Sequence, residues 1–232
     1  MNERHDEARG TASGPTAVTV SATGEPGTGR SPASDRVVQA GVKLFSQSGF
    51  LATSIRDITR ECGLTAVASF YNHFESKWAL LNEIIRGANQ YLEGELEQLS
   101  LDTLTPREAL QALVRTLVTF NLTWPREAHI ANREYGFLQS PDREDVIAHR
   151  RRVRALFENA IAAAGPAQGL LVSRSGAEPM ETRLLAISII NLSIASSEWY
   201  HPDGPLSISD VADTYCRLAL RMACLPGPPE PS

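Results

Sequence analysis

Residues 49–81, GFLATSIRDITRECGLTAVASFYNHFESKWALL, decide how the rest of the chain is read. Ile55 and Ile58 stand at helical spacing, and Leu64 follows beyond a break at Gly63. Thr53 or Ser54 can cap this first helix. From Ser54, Asp57 lies three residues on, the spacing at which hydroxyl and carboxylate each satisfy an orphaned backbone N–H. Cys62-Gly63-Leu64-Thr65 then supplies a tight turn: a glycine free to take positive φ, an apolar side chain for the core and a hydroxyl to cap the next helix. The second helix is short and ends in Phe70-Tyr71-Asn72-His73-Phe74. Phe70 and Phe74, four apart, share one face, so Tyr71, Asn72 and His73 point elsewhere and present three hydrogen-bonding side chains. Ser76 caps a further helix whose first turn carries Lys77. The pattern is a helix-turn-helix running into a longer helix.

Arg36-Val37-Val38-Gln39-Ala40-Gly41-Val42-Lys43-Leu44-Phe45 is followed by Gly49-Phe50, Thr53 to Ile58, Cys62 to Thr65, and Tyr71-Asn72-His73-Phe74 with Ser76, Lys77, Ala79 and Leu80. In these landmarks and their order the chain resembles the TetR/AcrR family of transcriptional regulators. The resemblance implies an all-α protein of about nine helices, with an N-terminal three-helix helix-turn-helix DNA-binding domain and a C-terminal helical ligand-binding and dimerisation domain. It implies a homodimeric, ligand-responsive repressor on double-stranded operator DNA. By match to the family pattern, Thr65 caps the recognition helix and touches DNA, Tyr71 and His73 contact the backbone or a base edge, Lys77 holds a phosphate, and Thr53 does the same from the preceding helix. Asn72 pairs with a base or makes a non-specific contact; Ala66, with Val67 and Ala68, offers methyl contacts such as one with thymine. Plainer alternatives stand beside these: Lys77 as a solvated charge, His73 as an imidazole satisfied in the core, Tyr71 as packing. Between Gly63 and Tyr71 the chain holds one residue more than the family's usual Gly-Val-Ser-x-Gly-x-Leu-Tyr spacing, which leaves the register of residues 66 to 68 open. A second reading therefore stands: a TetR-like dimeric scaffold acting through protein partners.

Composition bounds these expectations. At 232 residues the chain can bury a substantial core, and 42% hydrophobic with 21% charged residues is ordinary for a globular protein. A net charge of −5 argues at first sight against nucleic acid. Between Asp35 and Arg86, however, Arg36, Lys43, Arg56, Arg60, Lys77 and Arg86 outnumber Asp35, Asp57, Glu61, Glu75 and Glu83 by one. A small module can still set a few cations on phosphates, with affinity that depends on a dimer. Cys62, Cys216 and Cys224 have no metal-type spacing and read as small buried hydrophobes in a reducing cytoplasm, with a redox switch as the alternative. No apolar run approaches a membrane span, and the start, MNERHDEARG, has no signal-peptide core, so a cytoplasmic protein without a membrane partner is expected.

Taken in order, residues 1–34 are rich in Gly, Ser, Thr, Ala and Pro and read as a disordered arm, in which Arg4, Arg9 and Arg30 are offset by Glu3, Asp6, Glu7 and Glu25. The DNA-binding domain is expected over 35–81, the ligand-binding and dimerisation domain over 82–225, and a Pro-rich tail over 226–232. The first helix spans Asp35 to Ser48, with Val37, Ala40, Gly41, Leu44 and Phe45 as its apolar stripe and Gly49 as its C-terminal cap. A helix from Lys77 to near Gln98, carrying Leu80, Leu81, Ile84 and Ile85, can pack on both domains and is the natural mechanical link. Further helices are expected at Pro106–Thr123, Arg126–Gln139, Pro141–Ala164, Glu181–Trp199 and Ser209–Cys224, and Gly165–Gly176 stays undecided between an extended segment and a helical turn.

The segment Leu184–Ala195 is apolar around most of its circumference and must be covered on more than one side. With the last helix it resembles the family's dimer-forming pair, which assigns Ile187, Ile190, Ile194, Val211, Tyr215, Leu218 and Met222 to the dimer interface; burial within one monomer is the alternative. Trp199-Tyr200-His201-Pro202-Asp203-Gly204-Pro205-Leu206-Ser207 is similar to a signature of family members that answer acyl-CoA thioesters, although Glu198 stands where such relatives often have a basic residue. A hydrophobic acid or acyl-CoA effector is therefore expected, with Phe120, Trp124, His129, Arg133, Tyr135, Phe157 and Trp199 as candidate ligand-binding residues, although aromatic residues at helical spacing normally fill the core instead. The basic run His149-Arg150-Arg151-Arg152-Val153-Arg154 is either an exposed face or a cradle for a CoA phosphate. No Gly-x-Ser-x-Gly elbow, phosphate-binding Gly-rich loop or His-Glu-x-x-His motif is present, and His129 with Glu134, five apart, is no ligand pair. No catalytic residue, metal or cofactor is expected.

Overall fold

A computed structural model describes residues 31–164 and 178–223. Among them are eight α-helices, three short 3-10 segments and no strand. The helices are α1 (Pro32–Ser48), α2 (Ile55–Glu61), α3 (Lys77–Glu97), α4 (Pro106–Thr123), α5 (Pro125–Arg133), α6 (Asp142–Ala163), α7 (Glu178–Trp199) and α8 (Ile208–Met222). A 3-10 segment, Val67–Asn72, stands where the recognition helix is expected, and counting it gives nine. The other two are Leu101–Thr103 and Tyr135–Phe137.

Local signals set most of these ends. Ser54 and Asp57 form the expected capping box at α2, and Thr105 with Glu108 and Ser207 with Asp210 repeat it at α4 and α8. In each box the hydroxyl, then the backbone N–H of the capping residue, holds the carboxyl below its ordinary range. Gly63 takes φ +73, and the turn closes through Leu64 N–H on Thr59 O at 2.9 Å. Three boundaries differ from expectation by three residues or more, one of them the start of α7 at Glu178 where Glu181 is expected. α1 starts three residues early, because Ser31 caps it and Pro32 occupies its first position, so residues 31–34 belong to the helix and not to an arm. α5 ends at Arg133 rather than Gln139, and the chain tightens into the 3-10 turn Tyr135-Gly136-Phe137 before α6. The rest of the expected arm, Gly165–Gly176, Cys224 and the Pro-rich tail lie outside the described residues.

One core runs through both halves. Val37, Phe45, Phe50, Ile58, Phe70, Leu80, Leu81 and Ile85 close the first; Leu110, Leu113, Val114, Ile130, Phe157 and Ile189 close the second. α4 is the axis of the body, packed against α6, α7 and α8, while α3 and α5 reach from the body to α1. Where α1 crosses α3 the helices meet at Gly41: a Cβ there would stand 2.9 Å from Leu80 Cδ2 and 3.1 Å from Ile84 Cδ1, both on buried side chains. Among the described residues no helix is long and apolar enough to cross a membrane.

Gly41→Val should overpack this crossing and lower unfolding stability by about 1–3 kcal/mol in a denaturant titration. An unchanged midpoint would contradict the close approach.

Candidate nucleic-acid interface and effector cavity

The reading segment is built from one anchor and an outward face. Phe70 is fully buried, with Phe74 beside it at 6.0 Å between ring centroids. Tyr71, 54% exposed, packs edge-on against Phe70, and Asn72, Val67, Ala68, Ala66 and Thr65 are exposed. Thr65 does not cap the segment. Ala66 occupies the cap position in extended conformation with no side-chain bond, so the added residue is taken up in the turn before the segment starts at Val67. At three residues per turn, shorter winding keeps Phe70 on the core while Tyr71 and Asn72 face out. His73 is half-buried, and its Nδ1 shares a 3.1 Å hydrogen bond with Ser34 Oγ of α1.

Two expected phosphate contacts have other work. Thr53 is buried, and its hydroxyl donates to Gly49 O at 2.9 Å. Lys77 turns inward: Nζ donates to Phe50 O at 2.8 Å and Thr53 O at 2.7 Å, and lies 4.3 Å from the centroid of the Phe50 ring. Desolvation pulls its pKa below the ordinary lysine value. The ammonium thus satisfies two carbonyls of the corner between α1 and α2 and is neither a solvated charge nor a free anchor. Composition alone did not separate it from Arg36 and Arg56, which are exposed and without an ion pair among the described residues. Lys43 pairs with Glu61 at 2.6 Å and Arg60 with Asp57 at 3.5 Å.

On the body side, α3, α4, α5, α6 and α7 surround a cavity of about 200 Å³. Leu92, Leu117, Phe120, Val153 and three isoleucines of α7, Ile187, Ile190 and Ile194, make its apolar wall; Asn89, Asn132, Asn191, His149, Arg150 and Arg154 supply polar groups. The basic run is therefore divided. Arg150 and Arg154, four apart, share the inward face, while Arg151 is exposed and Arg152 pairs with Glu93 at 3.1 Å. Arg150 Nη1 donates to Asn132 Oδ1 at 3.3 Å, and its guanidinium lies 4.6 Å from the Tyr135 ring centroid. Arg154 Nε donates to Glu158 Oε1 at 2.9 Å. His149 is buried against the cavity, its Nδ1 without a hydrogen-bond partner and 3.8 Å from Glu93 Oε2. Desolvation, only partly opposed by Glu93, depresses its pKa and favours the neutral ring.

Of the seven ligand candidates, only Phe120 lines this cavity. Phe157 is fully buried in the core; Trp124 packs edge-on against Tyr91 at 5.7 Å; Tyr135 lies beneath Arg150; His129 is half-buried outside the lining. Arg133 is exposed and ion-paired with Glu198, which accounts for the acidic residue before Trp199. Trp199 donates to the Tyr215 hydroxyl at 3.1 Å, and the following Pro-Asp-Gly makes the turn that Ser207 ends by capping α8. The residues expected at the dimer interface divide within the protomer. Ile187, Ile190 and Ile194 line the cavity, and Val211 and Tyr215 are buried within the protomer. Leu218 is 38% exposed and Met222 half-buried, and the outward side of α7 carries Leu184, 51% exposed, with Ser188 and Trp199. Among the described residues no group of His, Cys, Asp or Glu could hold a metal ion; Cys216 is a buried free thiol, pushed up to about 11 by desolvation, and Cys62 is half-buried and free.

Comparison with known proteins agrees with this architecture. A family model described as tetracyclin repressor-like, C-terminal domain, matches residues 103–223, and one described as bacterial regulatory proteins, tetR family, matches residues 37–84. The HTH-type transcriptional repressor KstR2 of Mycolicibacterium smegmatis is 30% identical over 200 residues, covering 84% of this chain and 93% of that protein. Among solved structures, the ketosteroid transcriptional regulator KstR2 of Mycobacterium tuberculosis superposes with a TM-score of 0.72 at 23% identity, covering 84% of this chain and 96% of that one. AibR, solved with isovaleryl coenzyme A and operator DNA, gives 0.67 at 24%, covering 80% and 97%. At these identities the two structures show the shared fold.

The buried imidazole has a pH consequence. Its folded pKa lies below the unfolded value of 6.5, so in acid the unfolded chain takes up the proton first, and this contribution to stability is lost as pH falls below 6.5. Urea unfolding of His149→Gln between pH 7.5 and 5 should show a shallower acid-side loss than wild type; parallel curves would place the titration elsewhere.

Proposed function

This chain belongs to the TetR family of bacterial regulatory proteins, and from that premise we propose that it is a cytoplasmic repressor. In this reading it binds a palindromic operator as a homodimer and releases it when a hydrophobic acid, or its acyl-CoA thioester, fills the cavity. The family is one of regulators, not enzymes. The observation that carries the reading is the pairing, in one chain, of an outward Tyr71 and Asn72, in a domain that also exposes Arg36 and Arg56, with an apolar cavity that Arg150 and Arg154 line. Arg36 and Arg56 replace Lys77 and Thr53 as phosphate anchors, and Tyr71 and Asn72 meet base edges or backbone.

The cavity narrows the effector. At about 200 Å³ it falls below the roughly 300–1,000 Å³ of drug-sized ligand sites. A compact apolar body with a carboxyl or thioester end toward Arg150 and Arg154 suits it; a nucleotide does not, so the CoA moiety of a thioester would project outside. Two named relatives support the class: one is called a ketosteroid transcriptional regulator, and the other was solved with isovaleryl coenzyme A and operator DNA. Dimerisation falls to the outward side of the last two helices, Leu184 and Ser188 of α7 with Leu218 of α8. A ligand that binds one domain arrangement better would change the separation of the two reading segments from the roughly 34–36 Å between successive major grooves.

Fluorescence anisotropy on a duplex from the chain's own upstream region, over a salt series, tests this. Arg56→Ala should lower the salt slope by about one unit, whereas Lys77→Ala should leave it unchanged, because that charge is spent internally. No binding at low salt would favour the dimeric scaffold. Operator affinity that stays constant with isovaleryl-CoA and with every straight-chain, branched and alicyclic acid or acyl-CoA tried would remove the effector assignment.

A further inference from the structure

The cavity and the reading head are joined by two ring contacts carried on one short turn. Arg150, in the cavity wall, holds its guanidinium over Tyr135 at 4.6 Å. Two residues on, in the same 3-10 turn, Phe137 stacks on Phe50 at 5.5 Å with 29° between the ring planes. Phe50 is fully buried, also meets Phe45 and Trp78 edge-on, and is the ring over which Lys77 sits while bonding the carbonyls of Phe50 and Thr53. Glu134, just before the turn, lies against the same corner: a Cβ on Gly49 would be 3.6 Å from its Oε1. Thus one short turn, Tyr135-Gly136-Phe137, touches an effector-wall arginine at one end and the corner that sets α2 at the other.

We propose that Arg150 and this turn are the link through which the cavity controls the reading head: an anionic or carbonyl group in the cavity draws the guanidinium off the Tyr135 ring, and the Phe137–Phe50 stack loosens in response. The ring face holds Arg150 electrostatically, so a competing anion in the cavity acts on that contact directly. Phe137, 38% exposed, can shift without opening the core, whereas the fully buried Phe50 cannot. The inference rests on the reading that the cavity takes the effector, and it assigns the regulation of that site to Arg150, Tyr135 and Phe137 as positioning residues.

The link can be tested without knowing operator or effector. Protein labelled with 5-fluorotryptophan gives one fluorine resonance for each of its three tryptophans, and Trp78 reports on Phe50, against which it packs at 5.5 Å. Arg150→Met should move the Trp78 signal, identified with Trp78→Phe, whereas Arg151→Met, on the exposed side of the same helix, should not. Tyr135→Leu removes the ring instead of the cation and should move the same signal, which covers the case that Arg150→Met folds poorly. In a Phe137→Leu background Arg150→Met should leave it in place. With operator in hand, Arg150→Met should weaken binding about fivefold, and by less than twofold once Phe137 is Leu. A Trp78 resonance that stays put in Arg150→Met and Tyr135→Leu, or moves as far without Phe137 as with it, overturns the link. If wild type binds no duplex, the operator reading fails while the fluorine measurement still decides this one.

Discussion

A single ammonium holds the corner on which DNA recognition depends. Where the chain leaves α1 and enters α2, the carbonyls of Phe50 and Thr53 turn toward a largely apolar interior, and each would be costly to leave unpaired. Lys77 answers both, and the face of Phe50 attracts the same charge. Because Lys77 is the first residue of α3, the corner ties α1, α2 and α3 together at one point, and the buried Phe70 completes the unit from the other side. The orientation of Tyr71 and Asn72 follows from these two fixtures. The 3-10 segment that carries them is too short to orient itself.

The body solves a different problem. α7 is apolar nearly all round, so it can face α4, a cavity and solvent, or a second copy, at once. Its buried serines make this possible: Ser193 donates to Ile189 O at 2.9 Å and Ser196 to Ser193 O at 2.7 Å, so small polar groups pack inward with their hydrogen bonds made locally. The isoleucines on the next strip are left to the cavity, and α6 brings two arginines to them. In the proposed effector reading, an apolar wall with cations set into it favours an amphiphilic acid over both a plain hydrocarbon and a plain anion.

Much of this was legible in the sequence where the information is local. The boxes at Ser54, Thr105 and Ser207 each join a hydroxyl to a carboxylate three residues on, and α4 starts and ends at the expected residues. Pro32 after Ser31 carried the same kind of signal at α1, but it lay inside a stretch whose composition reads as disordered. What depends on distant partners was not legible. The acceptors of Lys77 are backbone carbonyls 24 and 27 residues away, and no side-chain pattern announces them. The phases of Ile187, Ile190 and Ile194 do not separate cavity from interface, because their helix is apolar around most of its circumference. Arg150 and Arg154 are separable from Arg151 and Arg152 in the sequence, since a spacing of four puts the first pair on one side of a helix, whereas six of the seven candidate ligand residues stand outside the cavity lining.

In the proposed repressor, two copies of the Val67–Asn72 segment read one duplex together. Hydroxyl-radical footprinting on the bound duplex tests it most directly. A symmetric dimer should leave two protected patches of equal strength, related by two-fold symmetry and centred about one helical turn, roughly 10 base pairs, or a whole multiple of it, apart. A single patch, or two at a spacing that places them on opposite faces of the helix, would contradict it.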